Sequence, residues 1–315
     1  MNDRPAIILD CDPGHDDVLA IVAAARHTEL LGITTVAGNA PLDRTTHNAL
    51  VMRDLLGIDV PVHSGARRPL VAPPRAADRV HGESGLDGAD LPAPTRPLDS
   101  TDAVAFIVDT CRRHDDVWLV PTGPLTNLAL ALRAAPDLAD RVAGVSLMGG
   151  GSFGNRSAAA EFNLWADPEA AAIVFEAAPF RRSPLIMAGL DVTHQFQASP
   201  ARIERVEAIG GRLATLLADL LRFFTGAYLA ATDTAKLAGA PMHDVLAVLA
   251  LTHRALFERA ARHVAIETTG SLTRGMTVID ARALLERPAP TCEVLTSVDA
   301  DAAFDVLAEA IAAFS

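Results

Sequence analysis

The chain has 315 residues, half of them hydrophobic, enough to bury a large core without disulfides. Its formal charge of −12 repels a phosphate backbone and aromatics make up only 4%, so nucleic-acid binding is excluded and a small soluble ligand is expected. Cys11, Cys111 and Cys292 follow no zinc spacing, the first residues carry no signal-peptide pattern, and no apolar run of ~18 residues is evident, which predicts a reduced, cytoplasmic chain without a membrane span.

Taken in order, Ala6–Leu9 reads as a buried strand and Asp16–Arg26 as a helix with an acidic first turn. Leu30–Val36 is a second predicted strand, and a helical pattern follows over roughly Leu42–Leu56. Residues 65–100 are rich in Pro, Gly, Asp and Arg and too long for an ordinary connection, which predicts a lid or binding loop. Val117–Val120, Val142–Leu147 and Leu185–Met187 are further strands, with helices at Leu125–Ala134 and Pro168–Ala177. Ile203–Ala231 is mainly helical, an irregular patch covers Asp233–Pro241, and short strands after Val264 with a last helix at Ala302–Phe314 complete the edge. Alternating strands and helices predict a Rossmann-like, doubly wound α/β fold, its sheet mostly parallel with helices on both faces. No linker interrupts residues 1–315, so a single domain is expected. Ligands of such sheets bind beyond the carboxyl ends of the strands.

The densest chemistry is Asp10-Cys11-Asp12-Pro13-Gly14-His15-Asp16-Asp17, at the exit of the first strand. Turn formation and helix capping could employ one or two of these acids but hardly four. Like charges so close raise one another's pKa unless a cation sits among them, and oxygen ligands suit calcium or magnesium better than zinc. Val36-Ala37-Gly38-Asn39, Pro121-Thr122-Gly123-Pro124-Leu125-Thr126-Asn127, Met148-Gly149-Gly150-Gly151 and Glu161-Phe162-Asn163 fall where strand ends should open on the same rim. Taken singly, each has an ordinary reading: a turn at Gly38 and Asn39, a helix start at Thr126 or Asn127, a core position for Met148. His243-Asp244 alone reads as an exposed histidine and a helix cap.

Together, DCDPGHDD, VAGN, PTGPLTN, LMGGG, AEFN and MHD, in this order, closely resemble the inosine-uridine nucleoside hydrolase family. The resemblance implies calcium-dependent hydrolysis of the N-glycosidic bond of ribonucleosides, with Ca2+ as cofactor, a nucleoside as substrate, and a homodimer or homotetramer. Asp12, Asp17, Asp244 and the main-chain carbonyl of Thr122 match its metal ligands, and Asp10 a supporting acid. Asp16, Asn39, Glu161 and Asn163 match residues that hold the ribose hydroxyls, with Met148 lining the sugar pocket. Asp12 also matches the general base and His243 the acid for the leaving base. His81, in the stretch HGESGLDGADLP, belongs to the loop expected to cover the base, and residues 203–244 to a helical region beside it. That stretch favours pyrimidine nucleosides, as does the presence of only Phe224 and Tyr228 where purine-cleaving members carry several tyrosines. A haloacid-dehalogenase-like phosphatase, with Asp10 and Asp12 as its paired acids, and a non-catalytic nucleoside-binding protein are the competing readings.

Overall fold

A computed structural model of the chain describes residues 4–74, 78–181, 183–231, 237–283 and 286–315, without the side chains at positions 78 and 79. The sequence AIILDC forms strand β1 (Ala6–Cys11), apolar to both sides as a strand inside a parallel sheet must be. Ile7, Leu9 and Cys11 enter the core on one face of the sheet and Ile8 the core on the other. Along the chain there follow α1 (Asp17–His27), β2 (Glu29–Thr35), α2 (Leu42–Leu55), β3 (Val62–Ser64), the short α3 (Asp78–His81), α4 (Ala103–Arg113), β4 (Trp118–Pro121) and α5 (Thr126–Ala134). Then come β5 (Gly144–Met148), α6 (Phe162–Ala166), α7 (Pro168–Glu176), β6 (Leu185–Ala188), α8 (Leu190–Thr193), β7 (Gln197–Ala198), α9 (Pro200–Ile209) and α10 (Gly211–Ala231). The last elements are β8 (Ala240–Pro241), α11 (Val245–Thr252), β9 (Phe257–Ile266), β10 (Thr277–Asp280), β11 (Cys292–Val298) and α12 (Ala300–Ala312).

Nine strands form one sheet in the order β10-β9-β11-β6-β5-β4-β1-β2-β3. All neighbours pair in parallel except at β9, which runs antiparallel to both β10 and β11. Residues of α1, α2, α9, α10, α11 and α12 fill one core layer, and those of α4, α5 and α7 the other. The doubly wound α/β expectation holds. From β1 the chain moves outward through β2 and β3, then returns to β4 on the opposite side of β1. That reversal is a topological switch point, where a crevice opens beyond the strand ends.

Most predicted elements sit within two residues of the observed ones. Three expectations change. The edge strands begin at Phe257 rather than after Val264, because Phe257 already pairs with Val298 of β11. The stretch 65–100 contains the helical turn α3, and its second half is fastened by hydrogen bonds described below. Gly211–Ala231 is long and apolar enough, by length and composition, to cross a membrane, contrary to the reading that no such run exists; half of it is buried inside the protein, as suits a core helix. Part of the irregular patch at 233–241 lies outside the described residues, which resume at Leu237.

Candidate active site

Beyond β1, Asp12, Asp16 and Asp17 turn into the crevice, and α11 brings Asp244 to meet them. Asp16, Asp17 and Asp244 are all buried and offer carboxylate oxygens within 4.8 Å of one another. Asp16 and Asp244 occupy the N-cap positions of α1 and α11, yet neither side chain caps its helix. The capping explanation for these acids therefore fails. Asp17 is oriented instead by neighbours in the crevice: Oδ2 accepts from the main-chain N–H of Gly14 (3.0 Å) and from Asn39 Nδ2 (3.0 Å), and Oδ1 from the Thr122 hydroxyl (2.8 Å).

Asp12 is completely buried. Its Oδ2 accepts a 2.6 Å hydrogen bond from the main-chain N–H of Asn39, and its Oδ1 has no hydrogen-bond partner among the described residues. Space around it is made by two glycines. A Cβ at Gly38 would stand 2.0 Å from Asp12 Oδ2, and one at Gly123 would stand 2.4 Å from Oδ1. Asp10, one step back inside β1, accepts from the Thr34 hydroxyl (2.6 Å) and from Asn127 (2.8 Å) through Oδ1, while Oδ2 is orphaned. Asn127 thus serves the acid cluster rather than its own helix start.

Burial pushes these carboxyls upward: Asp10 to about 6 and Asp16 to about 7, the latter also repelled by Asp17. Asp12 and Asp244 are raised well above the usual carboxylate range by burial and then by the neighbouring acids. Orphaned buried oxygens, mutual repulsion and an all-oxygen donor set fit a hard divalent cation. Asp16 belongs to the tightest carboxylate group, although the family resemblance assigns it to ribose. The carbonyl of Thr122 lines the crevice and accepts from Asn163 Nδ2 at 2.7 Å.

The crevice continues into a cavity of about 770 Å3, counting its open mouth, walled by Asp16, Asn39, His81, Met148, Glu161 and Asn163 among others. Glu161 caps α6: Oε1 accepts from the main-chain N–H of Asn163 (2.8 Å), and Oε2 from those of Gly150 (3.0 Å) and Leu164 (3.2 Å). Burial still raises its carboxyl to about 7. Gly150, at φ +72°, adopts a conformation that favours glycine and turns its N–H onto that carboxylate. Met148 is buried and gives its main-chain oxygen and sulfur to Asn163.

His243, expected to be exposed if ordinary, is buried. Its main-chain N–H donates to Asp16 Oδ2 (3.2 Å), and its Nδ1 lies 2.7 Å from the Thr193 hydroxyl. Burial pushes its imidazole down to about 3, with His194 contributing. Phe224 and Tyr228 of α10 line the same cavity and meet edge to face at 5.8 Å. The sequence reading missed Val80, Asn155, Arg156 and Phe162, which also line it. Arg156 lies over the Trp165 ring at 4.9 Å, a pairing with no signal in sequence spacing.

The matched family is described as inosine-uridine preferring nucleoside hydrolase, over residues 7–305. A pyrimidine-specific ribonucleoside hydrolase RihA from Enterobacter sp. (strain 638) is 44% identical over 314 residues, covering 98% of each chain. The protein of the same name from Escherichia coli (strain SMS-3-5 / SECEC) is 43% identical over 308 residues, 96% of this chain and 97% of the other. Among solved structures, a purine-preferring ribonucleoside hydrolase from Gardnerella vaginalis superposes with a TM-score of 0.90 at 32% identity, covering 98% of both chains.

Proposed function

The chain belongs to the inosine-uridine preferring nucleoside hydrolase family and is a ribonucleoside hydrolase, and we propose that it cleaves pyrimidine ribonucleosides with calcium in the aspartate cluster and Asp12 as general base. The observation that carries this reading is the buried, partnerless Oδ1 of Asp12 beside three converging carboxylates. Asp12, Asp17, Asp244 and the Thr122 carbonyl would hold the ion, with Asp16 close enough to join them. When bound, the cation supplies positive charge that lowers the pKa of a neighbouring water and neutralises the repulsion among the acids. Asp12 accepts the proton of the attacking water through Oδ1, while the Asn39 N–H fixes its other oxygen.

Asp16, Asn39, Glu161 and Asn163 orient the ribose, and Met148 packs along it. Fixed negative charge close to C1′ favours the oxocarbenium-like transition state. Glu161 is anchored by three main-chain N–H groups, so its carboxylate is preorganised rather than recruited. On the base side, His243 is neutral at rest. Its Nδ1 lies 2.7 Å from the Thr193 hydroxyl and its ring lines the cavity; in the tautomer in which that hydroxyl donates to Nδ1, the hydrogen on Nε2 would be available to the departing base. Pyrimidine preference is supported by the specificity in the names of the two relatives at 43–44% identity and by the sparse aromatic lining. The buried free cysteines fit a reducing compartment, and a cytoplasmic homodimer or homotetramer is the expected state.

The test is release of free ribose from uridine, cytidine, inosine and adenosine under identical calcium. Higher kcat/KM on uridine and cytidine supports the proposal; inosine or adenosine at the top of the ranking overturns the base preference.

A further inference from the structure

His81 ends α3, is buried in the cavity wall and stacks on Phe224 at 5.3 Å. Between α3 and α4 the described residues form no helix or strand, so side-chain hydrogen bonds must set the path of the chain there. Just after His81 the chain turns back on itself, and the main-chain N–H of Asp87 donates to the His81 carbonyl at 3.4 Å. The Asp87 carboxylate fills the inside of that turn. Its Oδ2 accepts from the main-chain N–H of Glu83 (3.1 Å), and its Oδ1 from both the N–H (3.2 Å) and the hydroxyl of Ser84. Ser84 Oγ accepts in turn from the N–H of Leu86 at 3.1 Å. Gly82, at φ +75°, lets the backbone close: a Cβ there would stand 2.0 Å from Asp87 Oδ2. From outside, two contacts seat the turn against the acid-bearing loop. Asn48 donates to the carbonyls of both Ser84 and Pro13, and the carbonyl of Asp87 lies 2.8 Å from Nε2 of His15, whose ring stacks 5.4 Å from that of His81.

We propose that Asp87 is a positioning residue for base binding: by closing the turn over residues 82–87 it holds His81 on the cavity wall before the nucleoside arrives. The proposal rests on the ribonucleoside hydrolase reading and deepens it at the base side. Asp87 does not line the cavity and acts only through the turn. A turn held shut keeps the binding-competent conformation dominant, whereas a loosened one lowers the competent fraction and weakens apparent affinity by that same fraction. The acids and Thr122 lie outside the turn, so the chemical step in the bound complex and the cation site are untouched. A defect at Asp87 therefore falls on KM rather than on kcat.

Two variants test this at different strengths. Asp87→Asn keeps the size of the side chain but turns an amide N–H against one of the main-chain donors. Ser84→Ala removes a single hydroxyl and leaves the carboxylate in place. Hydrogen exchange read by mass spectrometry over residues 81–87 reports the turn without any turnover, and the rise in Tm with calcium reports the acid cluster. The expected result is faster exchange in both variants with the calcium shift retained. KM for uridine should rise about tenfold in Asp87→Asn and less in Ser84→Ala, as loss of about one hydrogen bond to a charged group implies, with kcat nearly unchanged. Unaltered exchange, faster exchange with an unaltered KM, a loss confined to kcat, or disappearance of the calcium shift would each overturn the proposal. If the chain cleaves no nucleoside, the hydrolase reading fails and calorimetric binding of uridine decides the role of Asp87: weaker binding in Asp87→Asn upholds it, and equal binding overturns it.

Discussion

The two carboxylate oxygens of Asp12, the proposed general base, are held differently. One oxygen is fixed by the Asn39 N–H and the other is left without a partner, inside a shell made from Gly38 and Gly123. Asp12→Asn preserves the shape and removes the proposed base, so kcat on uridine should fall by about 10²–10⁴ while KM changes little. A matched loss in KM alone would mean that Asp12 only binds. Gly38→Ala is a second probe: its methyl would collide with Asp12 Oδ2 and press on Pro124 Cδ at 2.7 Å. Activity should drop at least tenfold through misplacement of the carboxylate, with far-UV circular dichroism unchanged; a fully active variant would show that the site tolerates a shifted Asp12. At this scale the acids were legible in the sequence because four like charges in eight residues demand an explanation. What spacing could not separate was a cap from a ligand, since Asp16 and Asp244 sit at cap positions and only the side-chain direction excludes that role. His15 gave no signal, because its partners lie 66 and 72 residues away.

At the level of elements, the segment 65–100, expected as a lid or binding loop, contributes Val80 and His81 to the cavity lining. Its later part is not loose. Asn48 of α2 donates to the carbonyls of Pro13 (2.9 Å) and Ser84 (3.0 Å), tying it to the acid loop. Asp54, near the end of α2, accepts from the main-chain N–H and hydroxyl of Thr95 and from Arg96. Burial alone would raise the Asp54 carboxyl, but these donors outweigh it and hold it far below the usual range. A depressed folded pKa contributes stability above the unfolded value of about 3.9 that is lost as pH falls below it. Asp54→Asn should therefore cost about 1.5–3 kcal/mol at neutral pH and flatten the fall in thermal stability between pH 5 and 3. Equal slopes for variant and wild type in that interval would contradict the assignment. Strand periodicity fixed β1, β2, β4, β5 and β6 to within two residues, because buried parallel strands are short apolar runs bounded by turns. It passed over β3, three residues of Val-His-Ser, and α3, a single turn, since both are too short to carry a period.

For the whole molecule, the order β4-β1-β2 places the exits of β1 and β4 on either side of the switch point, where the acids and Thr122 converge. This was readable as a class of fold, since alternating strands and helices leave few other solutions; the place of α10 beside the cavity came only from the family resemblance, because it depends on packing remote in sequence. A site that concentrates buried, mutually raised carboxyls stores repulsion that a cation relieves, so occupancy should stabilise the entire fold. At a calcium concentration of about 100 Kd the gain is about 2.7 kcal/mol, visible as a rise in Tm that chelator abolishes. Asp244→Asn should shrink that rise, and an undiminished one would place the ion elsewhere.

The central claim is tested most directly by following free ribose released from uridine by the purified protein, in calcium and then in excess chelator. The account predicts release in calcium, its collapse on chelation and its return when calcium is restored. Release that continues undiminished in chelator, or none under any metal condition, would contradict it.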